Sequence, residues 1–169
     1  MRTRELCYSA LCAALLCVLS PISIPTGGVP ITLSLLAVLL VAGILPTRLA
    51  LTSVLCYVAL GAVGLPVFAG FIGGFQVLIG PTGGFIMGYI PAAIVVSVFR
   101  QKPIKRVVSM VFATILCYIL GTLWLFIATG APFFHTLGAT LLSCAIPDSI
   151  KITVAAVLAA TMKRKLFKD

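Results

Sequence analysis

Residues 107–128 read VVSMVFATILCYILGTLWLFIA, a run of 22 residues without one charged side chain. A helix needs about 20 predominantly apolar residues to cross the roughly 30 Å hydrocarbon core of a bilayer. The run has that length and that composition, so it predicts a membrane-spanning helix.

The composition of the whole chain agrees with this prediction. Of its 169 residues, 62% are apolar and 9% are charged, and the mean hydropathy is +1.26. Soluble domains carry about 25% charged residues. Twelve basic and three acidic side chains can cap the ends of helices but cannot cover a soluble globule of this size. We therefore expect an all-α integral membrane protein, with residues 1–169 forming one domain.

Five further apolar runs are separated by turn signals, and together with the first they predict six transmembrane helices in one bundle. The runs are 5–20, 31–45, 48–64, 84–99, 107–128 and 137–162. The second and fourth are short for a full crossing, so we expect partly buried loops or a thinner bilayer there.

The basic residues predict the orientation of the bundle. Eleven of the twelve lie in the segments 1–4, 46–48, 100–106 and 163–169, whereas the segments 21–30, 65–83 and 129–136 contain none. Short cytoplasmic loops are enriched in lysine and arginine. We therefore expect a multi-pass protein of the cell membrane with both termini in the cytoplasm. No aromatic residues interleave with the basic clusters, which argues against binding of nucleic acid.

The outer segments are not simple polar linkers. Residues 61–88 read GAVGLPVFAGFIGGFQVLIGPTGGFIMG, with nine glycines, two prolines and no charge. Glycine permits close backbone approach and proline fixes turns. The pattern predicts glycine-rich outer loops that cap a ligand pocket in the bundle. The alternative is a tight re-entrant or surface loop that serves packing only.

One pair of opposite charges lies within a predicted span. Asp148 and Lys151 share one helix face, because residues three apart are neighbours on a helix. Counting about 1.5 Å per residue back from Met162 puts Asp148 roughly 20 Å above the cytoplasmic face. Charges within a membrane span are costly and mark functional sites. The alternative is a structural ion pair that fixes helix register.

The sequence contains no pattern typical of catalysis. The motifs G-x-x-x-x-G-K-[ST], H-E-x-x-H and G-x-S-x-G are all missing, and the only acids are Glu5, Asp148 and Asp169. We expect no catalytic residues, no metal site and no cofactor. A solute-binding protein without a nucleotide-binding motif needs a partner protein that supplies the energy for transport. The small residues Ala10 and Ala14 form a patch that allows close approach of a helix of such a partner.

Several of these segments together resemble the BioY family, the biotin-specific substrate-binding components of energy-coupling factor transporters. The resemblance rests on GLPVFAG at 64–70, GG at 73–74, GPTGG at 80–84, PDxxK at 147–151 and VPITL at 29–33. Family members often carry glutamine after the last of these motifs, where this chain has Ser34.

The resemblance implies a six-helix bundle that captures biotin from outside and docks on a transmembrane coupling subunit driven by two cytoplasmic ATPases. It implies that Asp148 and Lys151 bind the ureido ring or the carboxylate, that the Pro81–Gly84 turn closes over the ligand, and that Ala10 and Ala14 contact the coupling subunit. The ligand-binding candidates are Phe68, Gly73, Gly74, Gln76, Pro81, Thr82, Gly83, Gly84, Tyr89, Asp148 and Lys151.

Three other functions remain open from the residues alone. The same architecture could bind a different vitamin, or the chain could act as a stand-alone facilitator or exporter. An intramembrane enzyme is the third alternative, which the missing catalytic constellation disfavours.

Overall fold

A computed structural model of the chain describes residues 3–24, 30–130 and 132–166. Arg2 and Lys168, which entered the prediction of orientation, lie outside the described residues, as do residues 25–29 of the first outer loop. The side chains of Lys163, Arg164 and Lys165 are also outside the description.

The described chain folds into seven helices and one two-stranded sheet. The helices are α1 (Thr3–Leu19), α2 (Ser34–Ile44), α3 (Thr47–Val63), α4 (Phe75–Ile79), α5 (Gly83–Val98), α6 (Pro103–Thr129) and α7 (Phe133–Leu166). The strands β1 (Ser23–Ile24) and β2 (Ile31–Thr32) pair antiparallel. Six of the helices coincide with the six predicted apolar runs, and α4 is an additional short helix.

The structure differs from the predicted segments at three places. The run 31–45 becomes helical only at Ser34, because Ile31 and Thr32 pair with Ile24 and Ser23. The outer segment 65–83 is not all loop, since it contains α4. The outer segment 129–136 is shorter than expected, because Gly130 ends α6 with a left-handed φ of 70° and α7 begins at Phe133.

Helix α2 occupies the centre of the bundle. Ten of its eleven residues are buried, and it packs against α1, α3, α5 and α7. A helix that is apolar on all sides is typical of such a position. Because α2 is enclosed by the other helices, its first turn reaches the interior of the fold, where the cavity described below is formed.

Glycines bring α5 and α6 into close contact. A Cβ atom added at Gly84 would lie 2.2 Å from Trp124 Cβ, and one added at Gly121 would lie 2.3 Å from the ring of Phe85. Small residues allow this kind of approach between membrane helices. The contact sets the position of Phe85, whose side chain lines the cavity.

Two arginines of the predicted cytoplasmic segment 100–106 bind backbone carbonyls of other helices. Arg100 Nη1 donates to the Ile44 carbonyl at 3.2 Å, and Arg106 Nη2 donates to the Ala156 carbonyl at 3.3 Å. The first contact places a cation at the C-terminal end of α2, where the helix dipole favours positive charge. Burial lowers the pKa of Arg100 from its ordinary value.

Among the described residues, one helix is long and apolar enough to span a membrane by itself, namely α6 with a mean hydropathy of 2.3. Helices α2, α3 and α5 are apolar but shorter. Large apolar side chains lie exposed on the outer faces of several helices, including Leu11, Val63, Ile104 and Ile146. Extended exposed apolar surface of this kind is rare on soluble monomers.

Candidate functional site

A cavity of about 180 Å³ lies between the helices and the segment that follows α3. It is lined from β2, α2, α3, α5, α6, α7 and the chain between α3 and α5. The lining residues are Pro30, Ile31, Thr32, Ser34, Leu35, Tyr57, Phe68, Ala69, Ile72, Val77, Thr82, Phe85, Ile86, Tyr89, Cys117, Tyr118, Cys144, Asp148 and Lys151. Most of these side chains are apolar, and the polar ones other than Thr82 fall into two groups.

The first polar group joins α6 and α7 and carries the two charges found among the described residues of the cavity wall. Lys151 Nζ lies 2.5 Å from Asp148 Oδ1, and the Tyr118 hydroxyl donates to Asp148 Oδ2. Asp148 is 4% exposed and Lys151 is 7% exposed. Pairing with hydrogen-bond support is what allows charges to stay ionised when they are buried.

The second polar group consists of hydroxyls where α1, α2, α3 and α5 meet. Ser20 Oγ donates to Ser34 Oγ at 2.6 Å and lies 2.5 Å from the Tyr57 hydroxyl. Tyr89, Ser34 and Thr32 line the same cavity. We call Ser20, Thr32, Ser34, Tyr57 and Tyr89 the hydroxyl cluster. It carries donors and acceptors but no formal charge.

Apolar side chains form much of the remaining cavity wall. Phe68 packs edge-on against Tyr57, with ring centroids 5.6 Å apart and planes at 88°. Leu35, Phe85 and Ile86 add further apolar wall. The cavity therefore suits a mostly apolar ligand that carries a few polar functions, as in most small-molecule sites.

Five of the predicted ligand-binding residues line this cavity. They are Phe68, Thr82, Tyr89, Asp148 and Lys151, and they come from α5, α7 and the chain between α3 and α5. Residues far apart in the sequence are thus brought to one wall by the packing of the helices.

The other six predicted ligand-binding residues lie away from the cavity wall. Gln76 is exposed, and its Nε2 donates to the Gly73 carbonyl at 3.3 Å. Pro81 is exposed as well. Gly73, Gly74, Gly83 and Gly84 are packing and turn positions: an added Cβ at Gly73 would lie 2.1 Å from the Leu65 carbonyl oxygen, and Gly74 has a φ of 108°.

Tyr118, Tyr57 and Ser34 line the cavity but were not among the predicted ligand-binding residues. Tyr118 and Tyr57 lie within apolar runs, where a tyrosine reads as a packing residue. The sequence signal that could have identified them is the tyrosine hydroxyl itself, because a buried tyrosine hydroxyl usually has a hydrogen-bond partner. Sequence spacing does not identify that partner, which for Tyr118 is 30 positions away.

Comparison with known proteins identifies the family of the chain. The family model described as "BioY family" matches residues 1–168. This chain belongs to the BioY family. It is 34% identical to the "Probable biotin transporter BioY" of Pyrococcus horikoshii over 163 residues, covering 96% of this chain and 98% of that protein. It is 37% identical to the "Biotin transporter BioY" of Thermotoga maritima over 165 residues, covering 95% and 96%.

A solved structure shares the BioY fold described here. It is the S-component for biotin from an ECF-type ABC transporter, which matches with a TM-score of 0.88 and 26% identity, covering 99% of this chain and 93% of that one. The BioY relatives are named as transporters and not as enzymes. As a member of this family the chain is a membrane protein.

The predicted partner patch lies on the outside of this BioY chain. Ala10 and Ala14 are exposed on α1, whereas Ser9, Ala13 and Leu16 of the same helix are buried. The buried face is held to α3 by Ser53 Oγ, which donates to the Ser9 carbonyl at 3.0 Å. The other described helices therefore do not cover these two alanines.

Proposed function

We propose that this chain binds biotin in the described cavity as the substrate-specific subunit of an energy-coupling factor transporter. The observation that carries the proposal is a mostly apolar cavity whose wall carries both the Asp148–Lys151 pair and the hydroxyl cluster. We infer that these two groups bind opposite ends of the ligand. Biotin has a matching arrangement, with a neutral ureido ring, an apolar thioether ring and chain, and a terminal carboxylate.

Charge favours one orientation of the ligand. A carboxylate placed beside Asp148 would be repelled, whereas a neutral ureido ring would not. The ureido carbonyl can accept from Lys151, and the ureido N–H groups can donate to acceptors at the same end. The biotin carboxylate then points to the hydroxyl cluster. Ser20 is 0% and Ser34 2% exposed, so the hydroxyls themselves would bind the carboxylate there.

The transport arrangement is also part of the proposal. We infer six transmembrane spans with both termini in the cytoplasm, and a cavity that loads from outside beneath the 64–84 segment. A transmembrane coupling subunit and two cytoplasmic ATPases would supply the driving force, since the sequence carries no phosphate-binding loop. The solved relative is an S-component of an ECF-type ABC transporter, which supports this arrangement.

Titration calorimetry on the purified chain tests the proposed ligand. Biotin should bind with one site per chain, while riboflavin and thiamine should give no heat of binding. If biotin did not bind but another vitamin did, the proposed ligand would be wrong, whereas the proposed six-helix architecture would stand. Uptake of labelled biotin by ATP-free vesicles that contain only this chain would instead indicate a stand-alone facilitator.

A conservative change at Tyr57 tests the proposed carboxylate end. Tyr57→Phe removes one hydroxyl from the cluster and should weaken biotin binding by about 1 kcal/mol, roughly fivefold. The control ligand is biotin methyl ester, whose affinity should fall by a smaller factor, because it has no carboxylate to bind there. An equal loss for both ligands would mean that the carboxylate does not lie at the hydroxyl cluster.

The exposed alanines test the proposed docking face. Ala10→Leu or Ala14→Leu should lower biotin uptake by the assembled transporter at least several-fold, because a larger side chain prevents close helix approach. Biotin affinity of the isolated chain should not change, since both residues lie on the outer face of α1. Leu11→Ala, on the same helix, is the matched control for altered lipid contact. Weakened binding in the isolated chain would contradict the docking role.

A further inference from the structure

We propose that Tyr118 determines specificity at the charged end of the cavity by acting as a dedicated acceptor for one ligand N–H group. The inference rests on the proposed function, and it adds a residue that the family motifs in the sequence do not contain. It follows from the direction in which the Tyr118 hydroxyl must donate.

The contacts of Asp148 fix that direction. Its Oδ1 accepts from Lys151 at 2.5 Å, and its Oδ2 is bonded to the Tyr118 hydroxyl. Asp148 forms an ion pair with Lys151, and a carboxylate in an ion pair only accepts hydrogen bonds. The single proton of the Tyr118 hydroxyl therefore points at Asp148.

The phenol oxygen of Tyr118 therefore has no proton to donate to a ligand in the cavity. Tyr118 lines the cavity and is 7% exposed, so its hydroxyl lies at a largely enclosed surface. In that state the oxygen accepts but does not donate. A ligand hydroxyl or N–H can satisfy it, whereas a ligand carbonyl or carboxylate placed there would leave two acceptors facing each other.

Lys151 supplies the complementary function beside it. An ammonium has three N–H donors and no acceptor, and one of the three is used by Asp148. The charged end thus presents an acceptor at Tyr118 and donors at Lys151, which are neighbours through the same carboxylate. This pattern complements an N–H next to a carbonyl in one ring, the edge of a cyclic urea or lactam.

Two mono-N-methylated biotins, one for each ureido nitrogen, test the inference by calorimetry. In the wild type, one of them should bind at least about tenfold more weakly than biotin, because a methyl group replaces the N–H that meets Tyr118. In Tyr118→Phe, biotin itself should weaken by about tenfold, and the ratio between biotin and that same analogue should fall toward one.

A structural role alone would give a different result. If Tyr118 only holds Asp148 in place, Tyr118→Phe weakens biotin and the analogue by the same factor, and the unchanged ratio overturns the proposal. The proposal is also overturned if the wild-type protein binds both N-methylated biotins as tightly as it binds biotin. A wild type that does not bind biotin at all would instead refute the proposed function.

The melting temperature of Tyr118→Phe shows whether the variant folds. If it does not, the same ratio is measured on protein in which 3,5-difluorotyrosine replaces all tyrosines, because fluorination weakens the phenol oxygen as an acceptor. Effects at Tyr57 and Tyr89 act on biotin and the analogue alike and cancel in the ratio. The ratio should again fall, and an unchanged ratio again overturns the proposal.

Discussion

Replacing Lys151 with alanine is expected to raise the dissociation constant for biotin by at least 100-fold. The change leaves Asp148, which is 4% exposed, without its cation, and an uncompensated buried charge costs about 3–5 kcal/mol. Because the pair forms one end of the proposed site, the loss should appear in ligand binding as well as in the melting temperature. Calorimetry and thermal unfolding of the same purified preparation measure both.

A double variant separates the charge balance from ligand contact. Asp148→Asn combined with Lys151→Met keeps the approximate side-chain volumes and removes both charges, and replacing an entire buried pair is often neutral for stability. We therefore expect a melting temperature close to the wild type but no recovery of biotin affinity. Wild-type affinity in Lys151→Ala, or full recovery in the double variant, would mean that the pair is purely structural.

Alanine at Gly83 is expected to raise the dissociation constant for biotin by about tenfold or more and to lower the melting temperature. Its Cβ would lie 1.8 Å from the Leu78 carbonyl oxygen, a backbone atom that cannot rotate away. Overpacking of this kind costs about 1–3 kcal/mol. The turn would have to move, and with it the neighbouring Thr82, which lines the cavity.

Gly138→Ala is the matched control for this change. Gly138 is exposed within α7, and an added Cβ would meet nothing within 4 Å. Alanine there should leave biotin affinity unchanged and stabilise the helix by up to about 1 kcal/mol. If Gly83→Ala were as well tolerated as Gly138→Ala, the close packing of the 78–83 turn would be refuted. Calorimetry and thermal unfolding again provide the measurements.

The long helices were predictable because their signals are local. The segment 107–128 is apolar throughout, and α6 spans Pro103–Thr129. The hairpin of β1 and β2 was not predicted, because Ile31 and Thr32 read as the beginning of an apolar helix until their pairing with Ile24 and Ser23 is known. The number of membrane spans stays a prediction from the apolar runs, and their orientation stays a prediction from the distribution of charge.

Some predicted ligand-binding residues line the cavity and others do not, and the difference could not be predicted from the sequence. Glycines at 73, 74, 83 and 84 were predicted as ligand contacts because such turns can offer backbone groups to a ligand. They do not line the described cavity, and each supports a turn or a close approach, so their contact with the ligand stays a prediction. Gln76 was predicted from its amide, which donates to the carbonyl of Gly73, and its contact with the ligand also stays a prediction. Composition identifies a segment near a cavity, but it does not tell which side of the backbone faces the ligand.

The sequence by itself determined that the chain enters a membrane and that Asp148 and Lys151 share one helix face, since both follow from hydropathy and from helical spacing. Only the tertiary structure decided what meets that pair. Tyr118 reaches Asp148 across 30 positions, and Tyr57 reaches Ser20 across 37. Such contacts exist only once α1, α2, α3, α6 and α7 have packed, because no local pattern encodes which buried hydroxyl will face a given carboxylate.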